Sequence, residues 1–135
     1  MLKGKTALVT GSTSGIGLGI ARALAAQGAN VMLNGFGDSA TAVDEVTAAG
    51  AAHNVKVQYH GADMSKVAEI EDLMATCKRS LANVDILVNN AGIQHVANIE
   101  DFPAERWDAI LAINLSSAFH TSRLALPDMK AANWG

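Results

Sequence analysis

A chain of 135 residues, half of them apolar and with a formal net charge of −3, is long enough to bury one core and too balanced in charge to coat a nucleic acid. No basic stretch interleaves with aromatics, no run of about 18 or more apolar residues offers a membrane span, and "MLKGKTALVTG" lacks a secretory apolar core. Cys77 is the only cysteine, which excludes an internal disulfide and fits a reducing, cytoplasmic setting.

Residues 6–10, "TALVT", form a short apolar run before glycine and read as a buried strand. Ile16, Ile20, Ala23, Leu24 and Gln27 then recur at helical spacing, and Gly28 stands where a C-terminal cap belongs. "ANVMLNG" is the second strand. A helix follows, N-capped by Asp38 or Ser39, and stops at Gly50. "VKVQY", residues 55–59, alternates and is the third strand.

Ser65 is the expected N-cap of a helix carrying Val67, Ile70, Leu73, Met74 and Cys77 and ending near Leu81. Cys77 thereby reads as a small buried hydrophobe. "VDILVNNAG" supplies the fourth strand, whose unbroken apolar run suits a sheet covered on both faces. Pro103 opens a long helix through Trp107, Ile110, Ile113 and Phe119 to around Pro127.

Strands alternating with helices give an α/β fold with a parallel sheet. The expectation is one half of a Rossmann-type doubly wound sheet, strand order 3-2-1-4, in a single domain over 1–135. The fourth strand would then be an apolar edge, which invites association.

"GSTSGIG" places glycines at 11, 15 and 17, a G-x-x-x-G-x-G spacing distinct from G-x-G-x-x-G. Gly11 allows a tight exit from the strand. Gly15 and Gly17 let backbone N–H groups and the helix N-terminus face a pyrophosphate without an intervening Cβ. Ser12, Thr13 and Ser14 add hydroxyl donors around the same anion. His53, His60 and His120 make no metal-ligand pattern, so no metal site is expected, and His95 reads as a loop histidine.

"TGSTSGIG", "DILVNNAG" and "AINLSSAF", in that order, make the whole chain resemble the short-chain dehydrogenase/reductase family. The resemblance implies that Gly11, Gly15 and Gly17 are the cofactor loop, with the Ile16 backbone near the pyrophosphate. It implies that Asp63 bonds the adenine amino group, although a turn or capping aspartate before Ser65 is the plainer reading. Asn89 would tie the sheet together, while Asn90, Ala91 and Gly92 line adenosine and ribose. Asn114 matches the family's catalytic asparagine, which bends its helix and holds a water in a proton relay. Gln94 would hold a substrate carboxylate, or else be a solvated loop residue.

Gly35 and Phe36 stand where an acid would favour NAD and an arginine NADP, and Ser14 replaces a basic residue that NADP-preferring relatives often carry. With no cation in that segment, NAD is the expected cofactor. The stretch from "GIQHV" to "NWG" resembles family members that interconvert D-3-hydroxybutyrate and acetoacetate. Homotetramers are implied for the full-length protein, with Ser116, Ser117 and Ala118 as a small-residue patch on the packing helix.

The family's chemistry needs a serine and a Y-x-x-x-K pair for general acid–base catalysis. Here the only tyrosine is Tyr59, and Asp63 follows it four residues later. The sequence therefore looks like an N-terminal portion, cut before a fifth strand and inactive by itself. The alternatives are another short-chain reductase acting on an acyl thioester, sugar or steroid, or a non-catalytic nucleotide-binding module.

Overall fold

Short strands alternate with helices along the chain, and a computed structural model describes all 135 residues. Strands β1 (Thr6–Val9), β2 (Asn30–Asn34), β3 (Val57–His60) and β4 (Ile86–Val88) form one parallel sheet in the order β3-β2-β1-β4. Leu8 registers with Met32 on one side and Leu87 on the other, and Leu33 with Tyr59. This is the Rossmann-like α/β order expected from the sequence.

The sheet is sandwiched because successive strand residues point to opposite faces. Leu8 and Met32 meet Ile70, Leu73 and Cys77 of α3 (Val67–Ser80) and Ala125 of α5 (Ser117–Ala132). Val9, Val31 and Leu33 meet Ala21 and Ala25 of α1 (Gly15–Ala26) and Ala42 and Val46 of α2 (Ser39–Ala49). All five strand side chains are fully buried, each contributing roughly 2 kcal/mol of transfer free energy. Cys77 is buried as expected, and that burial pushes its thiol up to about 11.

Four local expectations are corrected. The buried stripe of α1 is Gly17, Ala21 and Ala25, while Ile16 and Ala23 face solvent. Small residues win that face because Ala21 and Ala25 pack close against Val9, Val31 and Leu33 of the sheet and Gly17 against the Gly11 carbonyl, where larger side chains have no room. β3 begins two residues late, since Asn54 adopts a left-handed conformation (φ 54°) after a short 3-10 turn.

At the head of α3, Lys66 rather than Ser65 occupies the N-cap position. The Ser65 hydroxyl donates to Asp63 Oδ1 at 2.6 Å instead of capping, and Glu69 reaches back to accept the Asp63 N–H at 3.0 Å. The last helix does not stop at Pro127. It runs as α4 (Ala104–Leu111), a π turn (Ala112–Ser116) and α5, which continues to Ala132. Pro127 is tolerated because it and Arg123, whose carbonyl loses its i+4 donor, both lie on the exposed side of the helix. No helix is long and apolar enough to cross a membrane.

Candidate functional site

Strand order reverses around β1, and a cavity of about 260 Å³ opens there, beyond the carboxyl ends of the strands. Its wall is made by Gly11, Thr13 and Ser14 of the glycine loop, Asn34 to Phe36 after β2, Ala62 and Met64 after β3, and Asn90 to Ile93 after β4, closed by Ile113. None of these side chains carries a charge.

The loop exists because of its glycines. Gly11 has φ 61°, and a Cβ there would stand 2.9 Å from Ala91 Cα. A Cβ at Gly17 would overlap the Gly11 carbonyl and come within 2.5 Å of Asn90 Nδ2. Ser14 precedes the first turn of α1 in extended conformation, and its side chain caps nothing. The first-turn N–H groups of α1 therefore lack intrahelical partners and concentrate the positive end of the helix dipole. That arrangement suits a phosphate-bearing ligand.

Two hydroxyls expected around the anion are occupied elsewhere. Ser12 is fully buried and donates to Val9 O at 2.6 Å, while accepting the Asn34 N–H at 3.0 Å. Thr13 donates to Phe36 O at 2.5 Å, which ties the loop to the exit of β2. A hydroxyl is drawn into the nearest unsatisfied carbonyl when the backbone turns this tightly, so the loop's remaining free hydroxyl is that of Ser14. Ile16 is 79% exposed, and Phe36 is 70% exposed at the cavity rim.

Asn34 organises the floor, and the sequence reading passed over it. At 1% exposure it accepts the Gly11 N–H at 3.2 Å and donates to the carbonyls of His60 and Ala62 at 3.1 and 3.0 Å. The available signal was an asparagine ending an otherwise apolar strand. Met64, Ile93 and Ile113 were also missed as wall residues, having the look of ordinary core positions.

The sheet-tying task expected of Asn89 falls to Asn90, which also lines the cavity. Asn90 joins β4 to β1, donating to Thr10 O and Gly11 O at 3.0 and 2.9 Å. The Thr10 hydroxyl accepts from the N–H groups of Asn90 and Ala91. Asn89, expected to tie the sheet, instead accepts the Thr121 hydroxyl at 2.6 Å and so holds α5. Ala91 and Gly92 line the cavity beside it.

Asp63 stands beside the wall rather than in it. Its carboxylate accepts from the Ser65 hydroxyl and N–H, which hold it below the usual carboxylate range. The turn reading of Asp63 is thus realised, and Oδ2 is left outside these bonds. Asp38 is similarly lowered by Thr41, hydroxyl first and N–H second, as the cap of α2.

Asn114 lies within the π turn. Its amide is engaged by loop backbone, accepting the Ile93 N–H at 2.8 Å and donating to Ile93 O at 2.9 Å. The Ile113 carbonyl, skipped by the π turn, receives the Ser117 hydroxyl at 2.6 Å. Gln94 follows the pinned residue and is exposed outside the cavity wall. His95 packs edge-on against Phe102, as a loop residue would. Tyr59 donates to Gly35 O, so the chain's one tyrosine is a strut of the β2 exit. No group of three or more histidine, cysteine or acidic side chains is placed to hold a metal.

The profile of the family described as short chain dehydrogenase matches residues 5–135. The chain is 70% identical over 135 residues to a D-beta-hydroxybutyrate dehydrogenase of Cupriavidus necator, covering 100% of this chain and 52% of that protein. It is 57% identical over 134 residues to the protein of the same name from Rhizobium meliloti, covering 97% and 51%. Among solved structures, L-sorbose reductase of Gluconobacter frateurii, complexed with NADPH and L-sorbose, superposes with TM-score 0.88 at 28% identity, over 97% of this chain and 49% of that one. A putative gluconate dehydrogenase of Agrobacterium tumefaciens gives 0.87 at 35% identity, over 99% and 52%. The chain thus spans about half the length of the curated relatives it matches.

Proposed function

The chain belongs to the short-chain dehydrogenase family, and from that premise we propose that it is the cofactor-binding part of an NAD-dependent dehydrogenase interconverting D-3-hydroxybutyrate and acetoacetate. The observation that carries the reading is the glycine cradle at the head of α1. A Cβ at Gly11 or Gly17 would strike the Ala91 backbone or the Gly11 carbonyl and so break the packing of the loop against α1 and the turn after β4, and the cavity beside it has a wholly uncharged lining.

Gly11, Gly15, Gly17, Ser14 and the backbone of Thr13 and Ile16 take the diphosphate. Phe36 and Asp63 flank the adenosine, with Asn90, Ala91 and Gly92 beside its ribose. A neutral wall has no cation to pair a 2′-phosphate, which favours NAD over NADP. Bound NAD supplies the hydride acceptor, so that the hydroxyl-bearing carbon of the substrate becomes a ketone. Asn114 is a positioning residue: it pins Ile93 and shapes the π turn, setting the loop from which Gln94 meets the substrate carboxylate.

The 70% identity to a D-beta-hydroxybutyrate dehydrogenase supports the hydroxy acid over other substrates. The test has two steps: reading the coding sequence past Gly135 for a serine and then Y-x-x-x-K, and following NADH formation with D-3-hydroxybutyrate and D-gluconate and NADH consumption with L-sorbose. Turnover of D-3-hydroxybutyrate in preference to the sugars is expected, with none from the 135 residues alone. Preference for a sugar would replace the substrate, and turnover by the 135 residues alone would sink the assignment of proton transfer to residues outside them.

Leu111, Leu115 and Phe119 are 40, 66 and 63% exposed along one side of the last helix. Such a row supports self-association, as in the expected tetramer. Sedimentation velocity should therefore find oligomers that Leu115→Asp dissociates; a wild-type monomer would contradict this.

A further inference from the structure

After β3 the chain turns through Gly61 to reach the cavity wall at Ala62 and Met64, and one histidine holds that turn from two directions. His60 Nδ1 takes the Ala62 N–H at 3.1 Å, while Nε2 faces Asp72 Oδ2 of α3 at 2.7 Å. A backbone N–H can only donate, so Nδ1 is the acceptor and the ring proton sits on Nε2, shared with the carboxylate. One tautomer satisfies both contacts.

The held turn is wired to the glycine loop. Asn34 donates to the carbonyls of His60 and Ala62, and accepts the Gly11 N–H. A shift at Ala62 therefore reaches both the wall and the loop that the nucleotide needs. The imidazole is 18% exposed, so it is held without being sealed from protons.

Adding a second proton would place Nδ1–H against the Ala62 N–H, two donors 3.1 Å apart. The charged groups around the ring do not relieve that conflict. Asp72 already takes Nε2, and Glu69, one turn earlier on α3, accepts the Asp63 N–H and pairs with Lys66 at 3.6 Å. Asp63 is bonded to Ser65, and β2 presents only the neutral Asn34. Protonation thus keeps the Asp72 pair and gives up the Ala62 bond.

We propose that His60 is a positioning residue of the nucleotide site, holding the Ala62–Met64 wall in binding geometry when its proton is on Nε2 and releasing it when doubly protonated. The proposal rests on the nucleotide reading of the cavity given above. It differs from a merely structural role because nucleotide affinity then depends on whether Nδ1 carries a proton.

The test is calorimetric titration of ADP-ribose into the chain at about pH 8 and about pH 5.5, with His60→Ala and His60→Asn alongside. Wild-type affinity should fall about fivefold at the acid pH, the loss of one hydrogen bond. His60→Ala should bind weakly at both. His60→Asn, whose Oδ1 offers a non-titrating acceptor near the place of Nδ1, should recover most of the alkaline affinity and show no pH dependence. Nitrogen NMR of the imidazole should find the neutral-form proton on Nε2. A full pH dependence in His60→Asn, wild-type affinity in His60→Ala, or a proton on Nδ1 would overturn the proposal. Binding without pH dependence overturns it alone, whereas no binding at either pH overturns the nucleotide reading as well.

Discussion

Gly17→Ala is expected to weaken NADH binding at least about 100-fold, roughly 3 kcal/mol, while the sheet still folds. The new Cβ would overlap the Gly11 carbonyl and crowd Asn90 Nδ2. Neither neighbour can give way: one is backbone, and the other is an amide already bonded to Thr10 O and Gly11 O. The head of α1 must therefore lift from the loop, which costs about 1–3 kcal/mol of overpacking and withdraws the first-turn N–H groups from the cavity. Gly19→Ala is the matched control. A Cβ at Gly19 meets nothing within 4 Å, so the exchange should raise stability by about 0.5–1 kcal/mol and leave binding unchanged. Fluorescence titration and thermal melting of both variants read the contrast. Equal binding by Gly17→Ala and wild type would remove the steric account of the cradle.

Asn34→Ala should lower stability by about 3 kcal/mol. The substitution strands the Gly11 N–H and leaves the His60 and Ala62 carbonyls without their shared donor, in a place 1% exposed. Asn34→Asp separates the two halves of the amide's work. Its carboxylate keeps an acceptor for Gly11 but turns the other oxygen toward two carbonyls. Burial and those carbonyls favour the protonated acid, so its folded-state proton affinity rises above the unfolded value. Stability is then greatest below the unfolded carboxyl range and falls as pH rises through the folded one. Denaturant melts of Asn34→Asp should accordingly show a larger deficit at neutral pH than near pH ~4. The same deficit at both pH values would mean the donor to His60 and Ala62 contributes little.

Much of this was written plainly in the sequence. The alternation of apolar runs with helical periodicity yields the strand order, because each short strand ends at glycine, at asparagine or in a turn. The G-x-x-x-G-x-G spacing after β1 locates the cavity, since only glycine tolerates the approach of Gly17 to Gly11 O. What periodicity misplaced was the face of α1. Ile16 and Ile20 outrank Ala21 and Ala25 on hydrophobicity, yet close approach to the sheet selects the smaller pair.

The polar wiring was least legible. Asn34, Asn89 and Asn90 are equally plausible solvent residues by type, and their partners lie 23 to 80 positions away along the chain. The π turn leaves no composition signal. It coincides with Asn114 reaching Ile93, 21 positions away, a contact that helical spacing does not foretell.

The most direct measurement is parallel titration of the 135-residue chain with NADH and NADPH at one ionic strength. A cradle of backbone N–H groups inside a neutral wall should bind NADH about tenfold or more tightly than NADPH, because the extra phosphate is dehydrated with no cation to receive it. ADP-ribose should displace NADH, placing the affinity in the adenosine diphosphate part. Equal or tighter binding of NADPH, or no competition by ADP-ribose, would contradict the site described.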